Sequence, residues 1–273
     1  GNAPRVVEAF VAGKVEDSRG GRFPKGALIA LNAPLSTHLV LTADQQKQAW
    51  DLTPYISEEQ ISHGIFVLGM PGSTSYAGLF GVLQAKKGET IFISSAAGAV
   101  GSIAGQIAKN VIGCRVIGSA GGSEKCALAE KKFGFDKCID YKQCKTTADL
   151  VAKIKEAAPE GIDMNFENVG GMHFEACMAT LRPGGRVAVC GAISQYNSAS
   201  PALADNAVSF NLAGLIYTQQ RIEGFLCGAW LRGEKGNFLQ DVSGYLKAGQ
   251  IKTEETFFNG IESWADAFLS LFT

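Results

Sequence analysis

The run Ala96-Ala97-Gly98-Ala99-Val100-Gly101 follows a short apolar stretch, Thr90-Ile91-Phe92-Ile93-Ser94, and leads into small and apolar residues. It is a relaxed G-x-G-x-x-G with alanine in the first place. In that pattern Gly98 lets the backbone approach an anion, Gly101 lets a helix pack closely on a strand, and the helix-start N–H groups bind the anion. Glycine and alanine also mark any tight strand-to-helix turn, so the dinucleotide reading needs its context, which the elements below supply. The tip of the next apolar run decides the ribose chemistry. Ser119-Ala120-Gly121-Gly122-Ser123 offers no Asp or Glu to accept ribose hydroxyls, and Lys125 stands just inside the following helix, where a 2′-phosphate would be met. The plainer reading of Lys125 is a solvated helix-start lysine. The balance favours NADPH over NADH.

Other chemistries find little footing. No cysteine occurs before Cys114, and only His38 and His63 precede it, so the Cys/His/carboxylate set of a catalytic zinc and a four-cysteine structural site are both excluded there. His38, His63 and His173 read as surface or core histidines. There is no G-x-S-x-G nucleophile elbow. The seven cysteines (114, 126, 138, 144, 177, 190 and 227) are an odd set with no CxxC pair, and read as small buried hydrophobes in a reducing compartment. A cytoplasmic location is the expectation. A net charge of −1, with no basic run longer than Lys131-Lys132, argues against nucleic acid and anionic membrane as partners. The apolar stretch 91–108 is too short and too small in side chain to span a bilayer. Gly1-Asn2-Ala3-Pro4 has neither the basic nor the apolar region of a signal peptide, and a first residue other than Met points to a tag remnant or a missing start.

The elements that would hold these residues follow from periodicity. Strands are expected at 90–94, 115–118, 137–140, 162–166 and 186–190. Helices are expected at 100–110, 124–133, 147–157 and 173–181, with apolar spacing at Leu150, Val151, Ile154 and Ala158. Such alternation implies βαβ crossovers, so the fold class is α/β with a doubly wound parallel sheet of the Rossmann kind. The flanks differ. Residues 6–15 and 27–31 read as strands, no long helix is evident before Ile61, and the tail offers a strand-like Thr256-Phe257-Phe258, a turn at Asn259-Gly260 and an amphipathic helix ending near Phe272. Residues 1–68 and 251–273 are therefore assigned to one mostly β domain, interrupted by a cofactor-binding domain over 69–250.

Four strings together are more specific: Gly69-Met70-Pro71-Gly72-Ser73-Thr74-Ser75-Tyr76, the 96–101 loop, Asn168-Val169-Gly170-Gly171, and Cys190-Gly191-Ala192-Ile193-Ser194-Gln195-Tyr196-Asn197. Over roughly residues 5–270 the chain resembles the medium-chain dehydrogenase/reductase superfamily. The branch is that of prostaglandin reductase, leukotriene B4 12-hydroxydehydrogenase and the alkenal double-bond reductases, and the 190–197 string is the most selective element. The resemblance implies a GroES-like β domain paired with a Rossmann domain, NADPH as cofactor, no metal, a homodimer, and reduction of the C=C bond of small hydrophobic enals and enones. It assigns the pyrophosphate loop to Ala97, Gly98, Ala99, Val100 and Gly101, and the adenosine ribose and 2′-phosphate to Lys125 and Tyr141. Asn168 would line the cofactor crevice, Cys190, Gly191, Ala192, Ile193 and Ser194 would run past the nicotinamide, and Phe225, Leu226 and Cys227 would lie on a later strand. Met70 and Thr74 would flank the nicotinamide from the domain junction, and Tyr196 would face the substrate carbonyl.

The sequence departs from the family pattern in two ways. The family's domain begins several dozen residues before Gly1 and closes with an Asn-x-Gly-Lys segment and a strand beyond Phe272, so the mostly β domain is N-terminally truncated here. Part of the substrate wall and one cofactor contact are expected to fall outside these residues. The family's Phe-Asp-Asn-Val is Phe166-Glu167-Asn168-Val169, a change expected to be tolerated. Chemically, such a reduction needs no nucleophile, only the nicotinamide held near the substrate β-carbon and a donor for charge developing on the carbonyl oxygen. The Tyr196 phenol is a suitable donor, its plainer role being a cap on the sheet edge. A quinone reductase and a non-catalytic, crystallin-like NADPH-binding protein stay open beside the enone reductase.

Overall fold

The computed structural model describes residues 6–196, 208, 210–231 and 237–272. The chain divides into two compact units, Gly1–Gly69 with Thr253–Thr273, and Met70–Lys252. In the first, β1 (Glu8–Lys14) pairs antiparallel with β2 (Leu28–Pro34), which pairs antiparallel with β3 (Trp50–Asp51). Phe23, Ala27, Ile29, Leu31, Ala33 and Ala49 form its core. The short helix α1 (Ala43–Gln48) starts at a capping box in which Thr42 and Gln45 satisfy each other's backbone N–H. The tail departs from expectation. Thr256-Phe257-Phe258 is not in a strand, and among the described residues no partner strand lies alongside it. Aromatic β-propensity does not make a strand without a ladder to join. The expected tail helix is the short Trp264–Leu269, flanked by 3₁₀ turns.

The second unit is a six-stranded parallel sheet with helices, Rossmann-like in its order. Its strands are β4 (Thr90–Ile93), β5 (Arg115–Ala120), β6 (Lys137–Asp140), β7 (Ile162–Glu167), β8 (Leu181–Val189) and β9 (Arg221–Gly224), arranged 6-5-4-7-8-9. The order reverses between β4 and β7, and in an open α/β sheet ligands bind beyond the carboxyl ends of strands at that reversal. Ile91, Phe92 and Ile93 are fully buried, as a strand covered by helices on both faces demands. The connecting helices are α2 (Met70–Tyr76), α3 (Ala99–Gln106), α4 (Ser123–Lys131), α5 (Thr147–Ala157), α6 (Met172–Thr180) and α7 (Leu212–Thr218).

Helix α5 occupies the expected span. Thr146 and Asp149 cap its start, and Leu150 and Ile154, four apart on one face, insert into a core with Phe92, Ile117, Phe174 and Cys177. Helix α3 continues as a π-helical turn, Ile107–Ile112, until Gly113 takes φ 87° and stops it. All seven cysteines are free; five are buried, while Cys190 and Cys227 are half-buried. Among the described residues no helix is long and apolar enough to cross a membrane, and no group of three His, Cys, Asp or Glu residues could hold a metal ion.

Candidate functional site

The 96–101 loop is set by the residue before it. Ser95 leaves β4 with φ 56°, a left-handed conformation that a non-glycine residue adopts only when its surroundings require it. Its carbonyl accepts the Gly98 N–H at 2.9 Å, and the Ala96 N–H reaches Ser119 O on β5 at 2.8 Å. Gly98 is the N-cap of α3 and supplies no capping side chain. A Cβ on Gly98 would sit 2.6 Å from Ser95 Oγ, and one on Gly101 would be driven into the Ser95 carbonyl oxygen. The backbone thus forms a cradle that side chains would fill, at a helix start whose N–H groups lack a side-chain cap, which is what a pyrophosphate requires. NADPH fits this loop. Ser75 on α2, next to Thr74, is fully buried and donates to Val100 O at 2.9 Å, so α2 is docked on the start of α3.

The β5 tip carries no acid, but one reaches it from next door. Asp140, at the end of β6, accepts the N–H groups of Gly122 at 2.9 Å and Lys142 at 3.1 Å. Its carboxylate is committed to turn backbone rather than offered to ribose hydroxyls. Lys125 is exposed in the first turn of α4. A Cβ on Gly121 would lie 3.1 Å from Tyr141 Oη, so Tyr141 covers this turn closely. The Tyr141 ring meets His173 edge-on at 4.9 Å.

His173 is buried and its Nε2 has no hydrogen-bond partner among the described residues. Burial holds the imidazole below its usual pKa, with the Glu167 charge opposing that shift. Its neutral form is therefore favoured by folding. Stability from this residue is fully present above pH 6.5 and is lost as pH falls from there through the lower, folded-state value. Melting temperature should drop as pH falls below about 6.5, and His173→Phe should flatten that slope, by at most about 1.4 kcal/mol per pH unit. An unchanged slope in the variant would remove His173 from the acid response.

Beyond β7 and β8 the expected site residues form one bonded group. Asn168 Nδ2 donates to Ser94 O at 2.7 Å, and Cys190 Sγ donates to Asn168 Oδ1 at 2.9 Å. Ile193 N–H reaches Asn168 O at 3.2 Å, and Ser194 gives its N–H (3.1 Å) and hydroxyl (2.6 Å) to Val169 O. Burial pushes the Cys190 thiol up to about 12, the Glu167 charge adding to it. Tyr196 is 65% exposed, and its Oη accepts the Ala192 N–H at 3.3 Å. A Cβ on Gly191 would come within 3.1 Å of both that hydroxyl and Asn168 O. Asn197, the last residue of the expected string, lies outside the described residues.

Other expected residues stand apart from this group. Met70 is half exposed at the start of α2, with Thr74 Oγ1 donating to its Sδ at 3.6 Å. Phe225, Leu226 and Cys227 are not on a strand, contrary to expectation. β9 ends at Gly224, and they follow it, Phe225 tied to Val189 O at 3.3 Å and edge-on to Phe166. The ladder with β8 stops at Val189–Gly224 because β8 itself ends there. Residues that sequence reasoning passed over are Ser94, Ser95, Asp140 and, above all, Glu167. It is fully buried, and its carboxylate accepts from Ser94, Asn165, Val169 and Gly170. The available signal was the departure from the family's Asp at Glu167.

Residues 99–243 match the family model described as zinc-binding dehydrogenase. The chain is 38% identical to a 2-alkenal reductase (NADP⁺-dependent) of Nicotiana tabacum over 98% of its own length and 74% of that protein. It is 36% identical to prostaglandin reductase 1 of Bos taurus, over 94% of the chain and 75% of the relative. Among solved structures, CurA of Vibrio vulnificus in complex with NADPH superposes with a TM-score of 0.84 at 34% identity, covering 97% of this chain and 75% of that one. The chain belongs to the medium-chain dehydrogenase/reductase superfamily, in the branch that holds the 2-alkenal and prostaglandin reductases.

Proposed function

We propose that the chain uses NADPH to reduce the C=C bond of small hydrophobic α,β-unsaturated aldehydes and ketones. What supports this is a backbone cradle at Gly98 to Gly101 and the hydroxyl of Tyr196, both beyond the carboxyl ends of strands of one parallel sheet, in a chain whose relatives are an alkenal reductase and a prostaglandin reductase. NADPH, when bound, supplies the hydride for the substrate β-carbon. The residues Ala97 to Gly101 present helix-start N–H groups to its pyrophosphate, and Lys125 with Tyr141 holds the 2′-phosphate and adenosine ribose. Asn168 and the segment Cys190 to Ser194 border the nicotinamide half, with Met70 and Thr74 on α2 and Phe225 to Cys227 after β9 as further wall. Tyr196 Oη accepts from Ala192 and keeps its own proton to donate to the carbonyl oxygen as charge develops there. The α-carbon takes its proton from solvent.

The finer features belong to the same reading. The antiparallel unit is the GroES-like substrate domain, the parallel unit the NADPH-binding domain. Among the described residues β9 has a neighbour on one edge alone, and Ile216 and Tyr217 on α7 are exposed, which supports a homodimer. Seven free cysteines suit the cytoplasm. Oxidation of NADPH with an alkenal, with a quinone, and with neither separates the proposal from quinone reduction and from a non-catalytic NADPH-binding role; turnover with quinone alone, or with nothing, would refute it.

Cofactor choice gives a second test. NADPH should bind at least about tenfold more tightly than NADH, about 1.4 kcal/mol. Lys125→Ala should erase most of that gap and leave NADH affinity nearly unchanged. Equal affinities in the unaltered protein would contradict the assignment of the 2′-phosphate to this turn.

A further inference from the structure

Glu167 is 0% exposed at the carboxyl end of β7, a position where a carboxylate costs several kcal/mol to desolvate. A residue needed there for stability alone would be better served by an apolar side chain. Its two oxygens are instead aimed at directional tasks. Oε1 accepts from Ser94 Oγ at 2.8 Å, from Val169 N–H at 2.8 Å and from Gly170 N–H at 2.9 Å, while Oε2 accepts from Asn165 Nδ2 at 2.9 Å. The Ser94 hydroxyl, in turn, accepts the Asn168 N–H at 2.8 Å. Every atom facing the carboxylate is a donor, which suits a charged acceptor. The Glu167 main-chain oxygen adds the N–H groups of Cys190 at 3.0 Å and Gly191 at 3.2 Å. Gly170 and Gly171 take φ 79° and 53°, left-handed conformations that glycine adopts without steric cost.

We propose that Glu167 is a positioning residue: through Ser94 and the N–H groups of Val169 and Gly170, its carboxylate fixes the Asn168 turn and, with it, the segment Cys190 to Ser194. The proposal rests on the functional reading above in one respect, that this segment borders the nicotinamide half of NADPH. Removing the charge loosens this edge of the site rather than the core beneath it.

Cysteine labelling in the protein without NADPH tests it. Cys190 is held by Asn168, whereas Cys114, Cys126, Cys138 and Cys144 are buried elsewhere in the same unit and Cys177, near Glu167, is fully buried in the core; these five report on general unfolding. In Glu167→Gln the amide oxygen keeps its three donors with weaker bonds. The new amide nitrogen can be met by Asn165, whose Oδ1 is buried without a partner and can turn to accept it. The expected result with iodoacetamide, read by mass spectrometry, is labelling of Cys190 faster by about tenfold, the buried five unchanged, and NADPH binding weaker by a similar factor. Ser94→Ala cuts the link to Asn168 but keeps the Glu167 charge, which itself raises the Cys190 thiol, so faster labelling there, to a smaller extent, separates a loosened turn from a lost charge and decides the matter if the glutamine variant does not fold. Labelling of all six in parallel, or unchanged labelling of Cys190, overturns the proposal. If the unaltered protein does not bind NADPH, the functional reading falls while the labelling still decides the role of Glu167.

Discussion

Gly101→Ala is expected to abolish measurable NADPH binding, with at least a hundredfold loss, about 2.7 kcal/mol. The added Cβ would strike the Ser95 carbonyl oxygen and approach the Ala96 backbone at 3.2 Å. Neither is a flexible side-chain end, so α3 must move off β4 or the loop must open. Either motion spreads the N–H groups that bind the pyrophosphate. Gly244→Ala is the matched control, since a Cβ there meets nothing within 4 Å on the helix Phe238–Lys247. It should bind NADPH normally and gain a few tenths of a kcal/mol or more in stability from the helix propensity of alanine. Isothermal titration of both variants checks the pair. Unweakened binding in Gly101→Ala would mean the cofactor sits elsewhere.

Tyr196→Phe carries the second large effect. If the phenol hydrogen bond strengthens as charge develops on the substrate oxygen, the loss falls equally on kcat and kcat/KM and leaves NADPH affinity nearly unchanged. A hydrogen bond to a charged group is worth about 1.5 to 3 kcal/mol, so the expected loss is on the order of ten- to a hundredfold. The structure adds a constraint. Tyr196 is 65% exposed and makes its hydrogen bond as an acceptor from Ala192, so its removal should not melt the protein. A rise in KM alone would mean that Tyr196 merely binds substrate, and a collapse in melting temperature would make it a structural cap.

The parallel sheet was legible because its strands are short β-branched runs separated by helical segments, and α5 was legible to the residue because Leu150, Val151, Ile154 and Ala158 recur at helical spacing. Element ends were less so. Thr256-Phe257-Phe258 looks like a strand by composition, yet pairing is a tertiary property that a window of residues does not carry. Phe225 to Cys227 were misplaced for a similar reason, since where β9 stops depends on where β8 stops. In the site, glycine spacing revealed the loop but not the Ser95 backbone that shapes it, because a positive φ at a serine is imposed by its surroundings. Glu167 was visible as a departure from the family's Asp. Its four donors come from Ser94 just after β4, from β7 and from the turn beyond, and their convergence exists only in three dimensions.

The central claim, reduction of the C=C bond rather than of the C=O bond, is tested most directly by following deuterium. With NADPH deuterated at C4 on the transferred position and an alkenal as substrate, the product should be the saturated aldehyde with the label on its β-carbon, read by NMR. The α-carbon should carry protium from water. An allylic alcohol labelled at the former carbonyl carbon would contradict the account and make the chain an alcohol dehydrogenase in chemistry.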